Sequence, residues 1–241
     1  MSRIKYPTDF SGRANLFLKI EAKHAKDGDK SPLIDFLEEK EIDMAKDKKK
    51  TESAVVTHAE FIQTTEEAEE LTQKRDNFWN PVFSNFKKEV QYLKSFYRGK
   101  VKELGIWGIK IDGKGKVVYP AKFTDLVKMF AVFYKKHTAM GAKSPLTKFL
   151  SENEIDIDAD KKSADLALET HGEMTQKKKD AEKLRNQRDS DFNPIYSDIL
   201  AIGQFLKKLF ITNPHKLGDW GFEIDDSPTK PRKKKGNKPS A

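Results

Sequence analysis

The amino-acid sequence predicts an all-α protein built as a tandem duplication of one antiparallel helical-bundle domain. Two observations support this prediction. The chain matches itself without a gap when it is shifted by 113 residues, and about 42 of the 107 aligned positions are identical. Within each copy, apolar residues recur at spacings of three and four, which is typical of helices that bury one face. Composition bias does not produce identities in a single register, so we interpret 1–113 and 114–226 as two helical-bundle repeats.

The identities fall in short motifs spread along the whole repeat rather than in one segment. They combine helix-breaking residues, polar pairs and tryptophan, which are residues with different structural roles. The clearest matches are Tyr6-Pro7 with Tyr119-Pro120, Ser31-Pro32 with Ser144-Pro145, Arg75-Asp76 with Arg188-Asp189, Asn80-Pro81 with Asn193-Pro194, and Trp107-Gly108 with Trp220-Gly221.

The first helix of each repeat is predicted from Phe10 to about Lys26, and from Phe123 in the second copy. Its aromatic residues lie on one face at helical spacing, and Gly28 and Gly141 then end it. Ser-Pro follows in both copies, which is typical of a helix N-cap with proline in the first turn. We therefore expect a short second helix, anchored in the two copies by Leu33, Phe36 and Leu37, and by Leu146, Phe149 and Leu150.

A long charged helix is predicted next, over about 46–78 and 159–191. At a rise of 1.5 Å per residue such a helix reaches about 45 Å. Asn80-Pro81 and Asn193-Pro194 are then expected to start a separate last helix, because proline is favoured in a first turn. The sequence therefore predicts three long helices and one short helix per repeat.

Each repeat is predicted to close with a short extended segment that begins at Trp107 or Trp220. Residues 107–112 and 220–225 alternate between apolar and polar positions, as do the short segments 4–7 and 117–120. The two kinds of segment could pair at the base of each bundle, or 106–119 could form a hairpin. We expect the two indoles to fill the end of each bundle, with a ligand platform as the alternative.

The net charge of +8, from 46 Lys+Arg and 38 Asp+Glu, is concentrated at the C-terminus. Six of these charges lie in 227–241, which contains no acidic residue, so the preceding residues carry only +2. A segment rich in Lys, Pro and Gly cannot bury enough apolar surface to fold, and we predict a disordered tail. Its candidate contacts to an acidic partner or to nucleic acid are Lys230, Arg232, Lys233, Lys234, Lys235 and Lys238.

Several function classes are disfavoured by composition. The chain has no cysteine, which excludes disulfides, thiol catalysis and cysteine-ligated metals. No apolar run approaches the ~18–20 residues of a membrane span, so we expect no membrane partner. The first residues contain no apolar signal segment, and we expect a cytoplasmic protein. Spacings typical of a Ser-His-Asp set, a nucleotide fingerprint or a glycosidase pair are missing, so we expect neither enzymatic activity nor a cofactor.

Four of the five histidines are matched between the repeats: His24 with His137, and His58 with His171. All four lie on the apolar faces of predicted helices. Buried histidines that make hydrogen bonds within the core are our preferred interpretation, and a metal site between facing helices is the alternative.

These observations favour a non-catalytic binding or structural protein, in which two helical bundles present a long surface and the tail adds electrostatic contacts. We expect a protein partner. One alternative is a nucleic-acid-associated protein that binds through the tail, and a second is a metal-binding bundle that uses the matched histidines. The near-neutral charge of 1–226 disfavours nucleic-acid binding by the folded surface.

Overall fold

The computed structural model describes residues 3–225 and is mostly helical, as the sequence predicts. Its elements are β1 (Arg3–Lys5), α1 (Phe10–Asp27), α2 (Ile34–Glu39), α3 (Met44–Phe96), α4 (Val101–Ile106), β2 (Lys110–Ile111), β3 (Val117–Val118), α5 (Phe123–Met140), α6 (Leu146–Glu152), α7 (Ile157–Leu209) and β4 (Glu223–Asp225). Three short 3-10 helices lie at Gly28–Lys30, Gly141–Lys143 and Pro214–Trp220.

Equivalent elements lie 113 positions apart. Helices α1 and α5 both have 18 residues, and α3 and α7 both have 53. The backbone between them also corresponds: Glu41 and Glu154 have φ values of 53° and 54°, in the left-handed region that residues with a Cβ rarely adopt. The two halves of the sequence therefore have the same local conformation even at strained positions.

The long helices continue through their prolines, so the prediction of a separate helix at each Asn-Pro pair was wrong. Pro81 lies inside α3, and Pro194 lies inside α7. A proline within a helix removes one backbone hydrogen bond and costs about 3 kcal/mol. Packing around Pro81 offsets this cost, because Trp79, Val82 and Phe86 are buried in the core. Each half of the chain therefore has one helix of 18 residues and one of 53, rather than three long helices.

Trp107 and Trp220 lie in helical turns, which corrects the prediction that they begin extended segments. Trp107 follows α4 directly, and Trp220 is the last residue of a 3-10 helix. The strands β2 and β4 begin only after them. Both side chains are buried in hydrophobic core clusters, at 1% and 2% exposure.

The strands form two short antiparallel ribbons. β2 pairs with β3 in a hairpin, which is one of the two predicted arrangements. The turn is held by Asp112, whose Oδ1 accepts hydrogen bonds from the backbone N–H groups of Lys114 and Lys116, at 2.9 and 2.7 Å. β1 pairs with β4, with Arg3 opposite Asp225, so the start of the first half of the chain pairs with the end of the second.

The chain forms two compact units, and the division of the sequence into the repeats 1–113 and 114–226 stays a prediction. Unit 1 contains residues 3–61 and 182–225, and unit 2 contains residues 62–181. The boundaries fall inside α3 and α7, so each long helix contributes its first part to one unit and its last part to the other. Because α3 and α7 are continuous, the two ends of each helix pack in different cores: Ala54 of α3 lies in the core of unit 1 and Phe86 of α3 in the core of unit 2.

Each unit has its own hydrophobic core. The core of unit 1 joins α1 and α2 to the last part of α7, and includes Phe17, Ile20, Leu33, Ile195, Ile199, Ile202, Leu206 and Trp220. The core of unit 2 joins α5 and α6 to the last part of α3, and includes Val82, Phe86, Val90, Leu93, Trp107, Phe130, Phe133 and Leu146.

Candidate functional site

The six predicted contact residues of the tail lie outside the described residues. They are Lys230, Arg232, Lys233, Lys234, Lys235 and Lys238. Their role stays a prediction, and the structure of residues 3–225 is informative about the other candidates, the matched histidines and the matched Arg-Asp pairs.

His24 and His137 make the same hydrogen bond in the two units. The Nδ1 atom of each lies 2.7 Å from a serine hydroxyl, that of Ser31 for His24 and that of Ser144 for His137. Each hydroxyl also accepts a hydrogen bond at 3.3 Å from a backbone N–H two residues later. Burial lowers the pKa of His137, which favours its neutral form. These two histidines therefore link the end of a long amphipathic helix to the start of the short helix that follows.

His58 in unit 1 is paired with an arginine from the other half of the chain. Its Nδ1 atom lies 2.9 Å from Nη1 of Arg188. A guanidinium group can only donate hydrogen bonds, so Nδ1 must be the acceptor and the imidazole must be neutral, with its proton on Nε2. Burial and the nearby Arg188 charge both lower the pKa of His58, in agreement with this assignment. The pair is therefore a directional link between α3 and α7.

Arg188 is held by aromatic rings and by its neighbouring carboxylate. The centre of its guanidinium group lies 5.0 Å from the ring centroid of Phe10 and 5.4 Å from that of Phe61. Its Nε and Nη2 atoms both donate to Oδ1 of Asp189. Only 11% of its side chain is exposed, so the cation–π contacts are partly desolvated and correspondingly stronger.

The equivalent cluster in unit 2 has the same plan with one exchanged partner. Arg75 donates to Asp76 through Nε and Nη2 and lies 5.2 Å from the ring of Phe123, as Arg188 does with its matched residues. Its Nη1 instead points at the sulfur of Met174, at 3.6 Å, and Met174 occupies the position that matches Phe61. The Nδ1 atom of His171 is buried and has no hydrogen-bond partner among the described residues.

In both clusters the arginine links α7 to α3, Arg188 through His58 and Arg75 through Met174. In each cluster burial, and then the positive charge of the arginine beside it, lowers the pKa of the histidine and favours its neutral form. The sequence showed that the Arg-Asp pairs and histidines are matched. It did not show that each arginine contacts the part of the other repeat that carries the matched histidine. This contact depends on how the long helices run through the structure.

No group of three or more His, Asp or Glu residues in the described part of the chain could hold a metal ion. His58 directs its Nδ1 lone pair to Arg188, and the Nδ1 atoms of His24 and His137 lie at serine hydroxyls. The alternative of a histidine metal site stays a prediction. Elemental analysis of protein purified without an affinity tag tests it.

Sequence reasoning missed a buried carboxyl group in unit 2. Glu89 in α3 is fully buried, and neither of its carboxyl oxygens has a hydrogen-bond partner within residues 3–225. Burial, together with the nearby Asp160 carboxylate, raises its pKa to about 8. The position of Glu89 in the sequence indicates its burial, because it follows Phe86 by three residues and precedes Leu93 by four, on the apolar face of the helix.

No protein-family model, curated protein or solved structure matches this chain. Among the helices of residues 3–225, none has the length and apolar character that a membrane span requires.

Replacing Arg188 with alanine is expected to lower the free energy of unfolding by about 2 kcal/mol, because it removes the hydrogen-bond partner of the partly buried His58 imidazole and two cation–π contacts. The matched control is Arg185→Ala. Arg185 lies on the same helix and also pairs with Asp189, at 3.8 Å, but 64% of its side chain is exposed. An exposed pair contributes about 0–1 kcal/mol. Urea unfolding followed by circular dichroism measures both variants, and equal losses would contradict a structural role for the Arg188 cluster.

Proposed function

We propose that this chain is a non-catalytic binding protein, built by tandem duplication of one helical-bundle unit and carrying a basic tail that makes electrostatic contacts with an acidic partner. The observation that supports it best is the use of the matched polar residues. The arginines kept in both repeats link helices to one another: Arg188 contacts His58 and Phe10, and Arg75 contacts Met174 and Phe123. Residues retained for catalysis would instead be expected to face a cleft that admits a substrate.

The duplication is supported by the correspondence of elements and of strained backbone positions 113 residues apart. In this proposal the repeats are 1–113 and 114–226, and the compact units arise because the halves of the two long helices are exchanged between repeats. The matched Arg-His clusters are the polar contacts of that exchange.

The tail is the proposed partner-binding segment because it concentrates six basic residues and no acidic residue, whereas the runs of lysines in the helices have acidic partners nearby. Lys48 pairs with Glu21 at 3.0 Å, and Lys177 pairs with Glu67 across α3 and α7. Lys48 lies in the run Lys48–Lys50, and Lys177 lies in the run Lys177–Lys179. The charges of these two lysines are partly neutralised by their acidic partners. The six basic residues of 227–241 have no acidic neighbour within that segment. Their charge is therefore available to an acidic protein surface, or to nucleic acid as the second candidate.

Replacing all six basic residues of the tail with glutamine is expected to abolish binding to polyanions at low salt. Titrations of the full chain with polyglutamate, duplex DNA and single-stranded RNA, at low and at moderate salt, measure this. Binding that uses about six charges is expected to weaken steeply with salt. A preference for polyglutamate supports an acidic protein partner, whereas a preference for DNA or RNA supports the nucleic-acid alternative.

The control for net charge replaces six lysines exposed on the helices instead: Lys49, Lys88, Lys102, Lys162, Lys178 and Lys179. This variant has the same net charge as the tail variant. We expect it to bind polyanions almost as well as the unmodified chain. Equal losses in the two variants would show that binding follows net charge alone and would contradict a specific role for the tail.

A further inference from the structure

Unit 1 has an apolar pocket at the C-terminal end of α7. Its volume is about 320 Å³, which lies at the small end of the range for small-molecule sites. The pocket lies between the end of α7, the 3-10 helix Pro214–Trp220 and the ribbon of β1 and β4. Its lining includes Lys207, Lys208, Phe210, Ile211, Leu217 and Ile224.

The wall of the pocket is almost entirely apolar. Leu217 is buried in the core, whereas Ile211 at the mouth is 76% exposed. Exposure of so large an aliphatic side chain beside an apolar pocket marks surface that a ligand could cover. A volume of about 320 Å³ accommodates on the order of ten carbon-sized atoms, since one water occupies about 30 Å³ in the liquid.

The mouth of the pocket is basic. Lys207 and Lys208 line it, and neither makes an ion pair within residues 3–225. The ammonium group of Lys216 adds further positive charge, 5.9 Å from the ring centroid of Phe210 in the pocket wall. The nearby carboxylate of Glu223 is paired with Lys5 at 3.7 Å and lies on the opposite side of β4 from Ile224.

Unit 2 has a smaller pocket at the matched position. It is lined by Lys94, Tyr97, Leu104 and Ile111, which match Lys207, Phe210, Leu217 and Ile224, and by Arg98, Gly99 and Gly115. Its volume is about 130 Å³, which admits only about four atoms of this size. An exposed Ile211 in unit 1 is replaced here by Arg98. The matched pocket therefore provides an internal control that has the basic group but lacks the space.

We infer that the unit 1 pocket binds a medium-chain carboxylate, a fatty acid of about eight to twelve carbons, with its chain against Leu217 and Ile224 and its carboxylate at Lys207 and Lys208. This site is separate from the proposed tail contacts and goes beyond them. The positive charge of the mouth favours an anionic ligand. It repels the Lys-rich tail of this chain, and it gives an uncharged ligand no electrostatic attraction. The apolar wall and the two lysines that line the pocket together complement an amphipathic anion.

Calorimetric titration of the full chain with octanoate, decanoate and dodecanoate, all below their micellar concentrations, tests the inference. Each added methylene is expected to tighten binding up to about fourfold until the pocket is full. Decanol, which has the same chain without the charge, is expected to bind at least tenfold more weakly than decanoate. Absence of decanoate binding at millimolar concentration would overturn the inference, as would equal binding of decyltrimethylammonium.

Two variants locate the site. Lys207→Gln combined with Lys208→Gln is expected to weaken decanoate binding about tenfold, and Ile211→Glu more than tenfold. All three side chains are exposed, so the fold should be unaffected. The matched controls in unit 2, Lys94→Gln and Arg98→Glu, are expected to leave binding unchanged. Equal effects of the substitutions in both units would show that decanoate binding depends on overall charge, and would overturn the assignment.

Two other occupants would also overturn it. Sedimentation that shows a dimer of the full chain, converted to monomer by Ile211→Glu, would identify the pocket as an interface between copies. Decanoate binding that appears only after the six tail residues are replaced with glutamine would identify the tail as the occupant.

Discussion

Replacing Glu89 with isoleucine is expected to raise the free energy of unfolding by about 4 kcal/mol at pH 8.5, the largest effect we predict for any single substitution. Glu89 is fully buried in the unit 2 core, and its carboxyl oxygens have no hydrogen-bond partner within residues 3–225. Desolvation disfavours the charged form, and the Asp160 carboxylate adds repulsion, which together raise the pKa of Glu89 to about 8. Isoleucine is the residue found at the matched position, Ile202, which is also fully buried.

The effect is expected to depend on pH. The folded protein holds the proton of Glu89 up to about pH 8, whereas the unfolded chain releases it near 4.5. Between these values the folded state binds more protons, so the free energy of unfolding falls as pH rises. The contribution of this carboxyl is fully present below about pH 4.5 and is lost by pH 8. The gain from Glu89→Ile should therefore grow from roughly 1 kcal/mol at pH 5.5 to about 4 kcal/mol at pH 8.5.

Thermal and urea unfolding of both proteins at pH 5.5 and 8.5 measures this difference. Glu89→Gln is the second variant, because it removes the charge but keeps a polar group, and it should recover the pH-dependent part of the gain. The matched control is Ile202→Glu, which places a carboxyl at the same depth in unit 1. It is expected to be destabilising, more so at pH 8.5. A gain from Glu89→Ile that is the same at both pH values would contradict ionisation of Glu89 as the cause.

Replacing Gly203 with valine is expected to lower the free energy of unfolding by about 3 kcal/mol, although the matched residue in α3 is the buried Val90. A Cβ atom at position 203 would clash with the hydroxyl of Tyr6 and would lie 3.0 Å from the ring of Phe222. Tyr6 and Phe222 pack edge to face in unit 1, with ring centroids 5.9 Å apart. Both rings would have to move, and this would disrupt the packing of Tyr6 and Phe222 against α7.

The control for this substitution lies on the same helix. Gly172 is an exposed glycine in α7, and an added Cβ there would meet no atom within 4 Å. Gly172→Ala is therefore expected to raise stability by up to about 1 kcal/mol through helix propensity. Urea unfolding of Gly203→Ala, Gly203→Val and Gly172→Ala should give increasing loss at position 203 and a gain at 172. No loss at position 203 would contradict the tight packing of Tyr6 and Phe222.

Much of the helical structure could be predicted from the sequence because it is set by local signals. The first helix begins at Phe10 as predicted, and Gly28 ends it with φ of 52°. The breaks expected at Asn80-Pro81 and Asn193-Pro194 were wrong, because proline only disfavours a helix, and buried neighbours such as Trp79 and Phe86 outweigh that preference. Tertiary packing of this kind cannot be read from a short window of sequence.

The candidate site, too, could be predicted from the sequence only in part. The matching of His58 with His171 and of Arg75 with Arg188 could be read from one register of the sequence. The contact between His58 and Arg188 could not, since the two are separated by 130 positions and meet only because α3 and α7 are continuous. The pocket of unit 1 depends on a difference between the repeats, Ile211 against Arg98, whose effect on volume emerges only in three dimensions.

The division of the two units along the chain has a consequence for how the protein is made. Unit 2 is one continuous stretch, 62–181, whereas unit 1 needs residues 3–61 and 182–225 together. During synthesis from the N-terminus, unit 2 can therefore fold as soon as residue 181 has left the ribosome. The apolar face of α1 can be buried only when its partners on α7 have been synthesised, more than 120 residues later. Helix α1 is thus synthesised before unit 2 but buried after it, and until then its apolar face needs protection from aggregation.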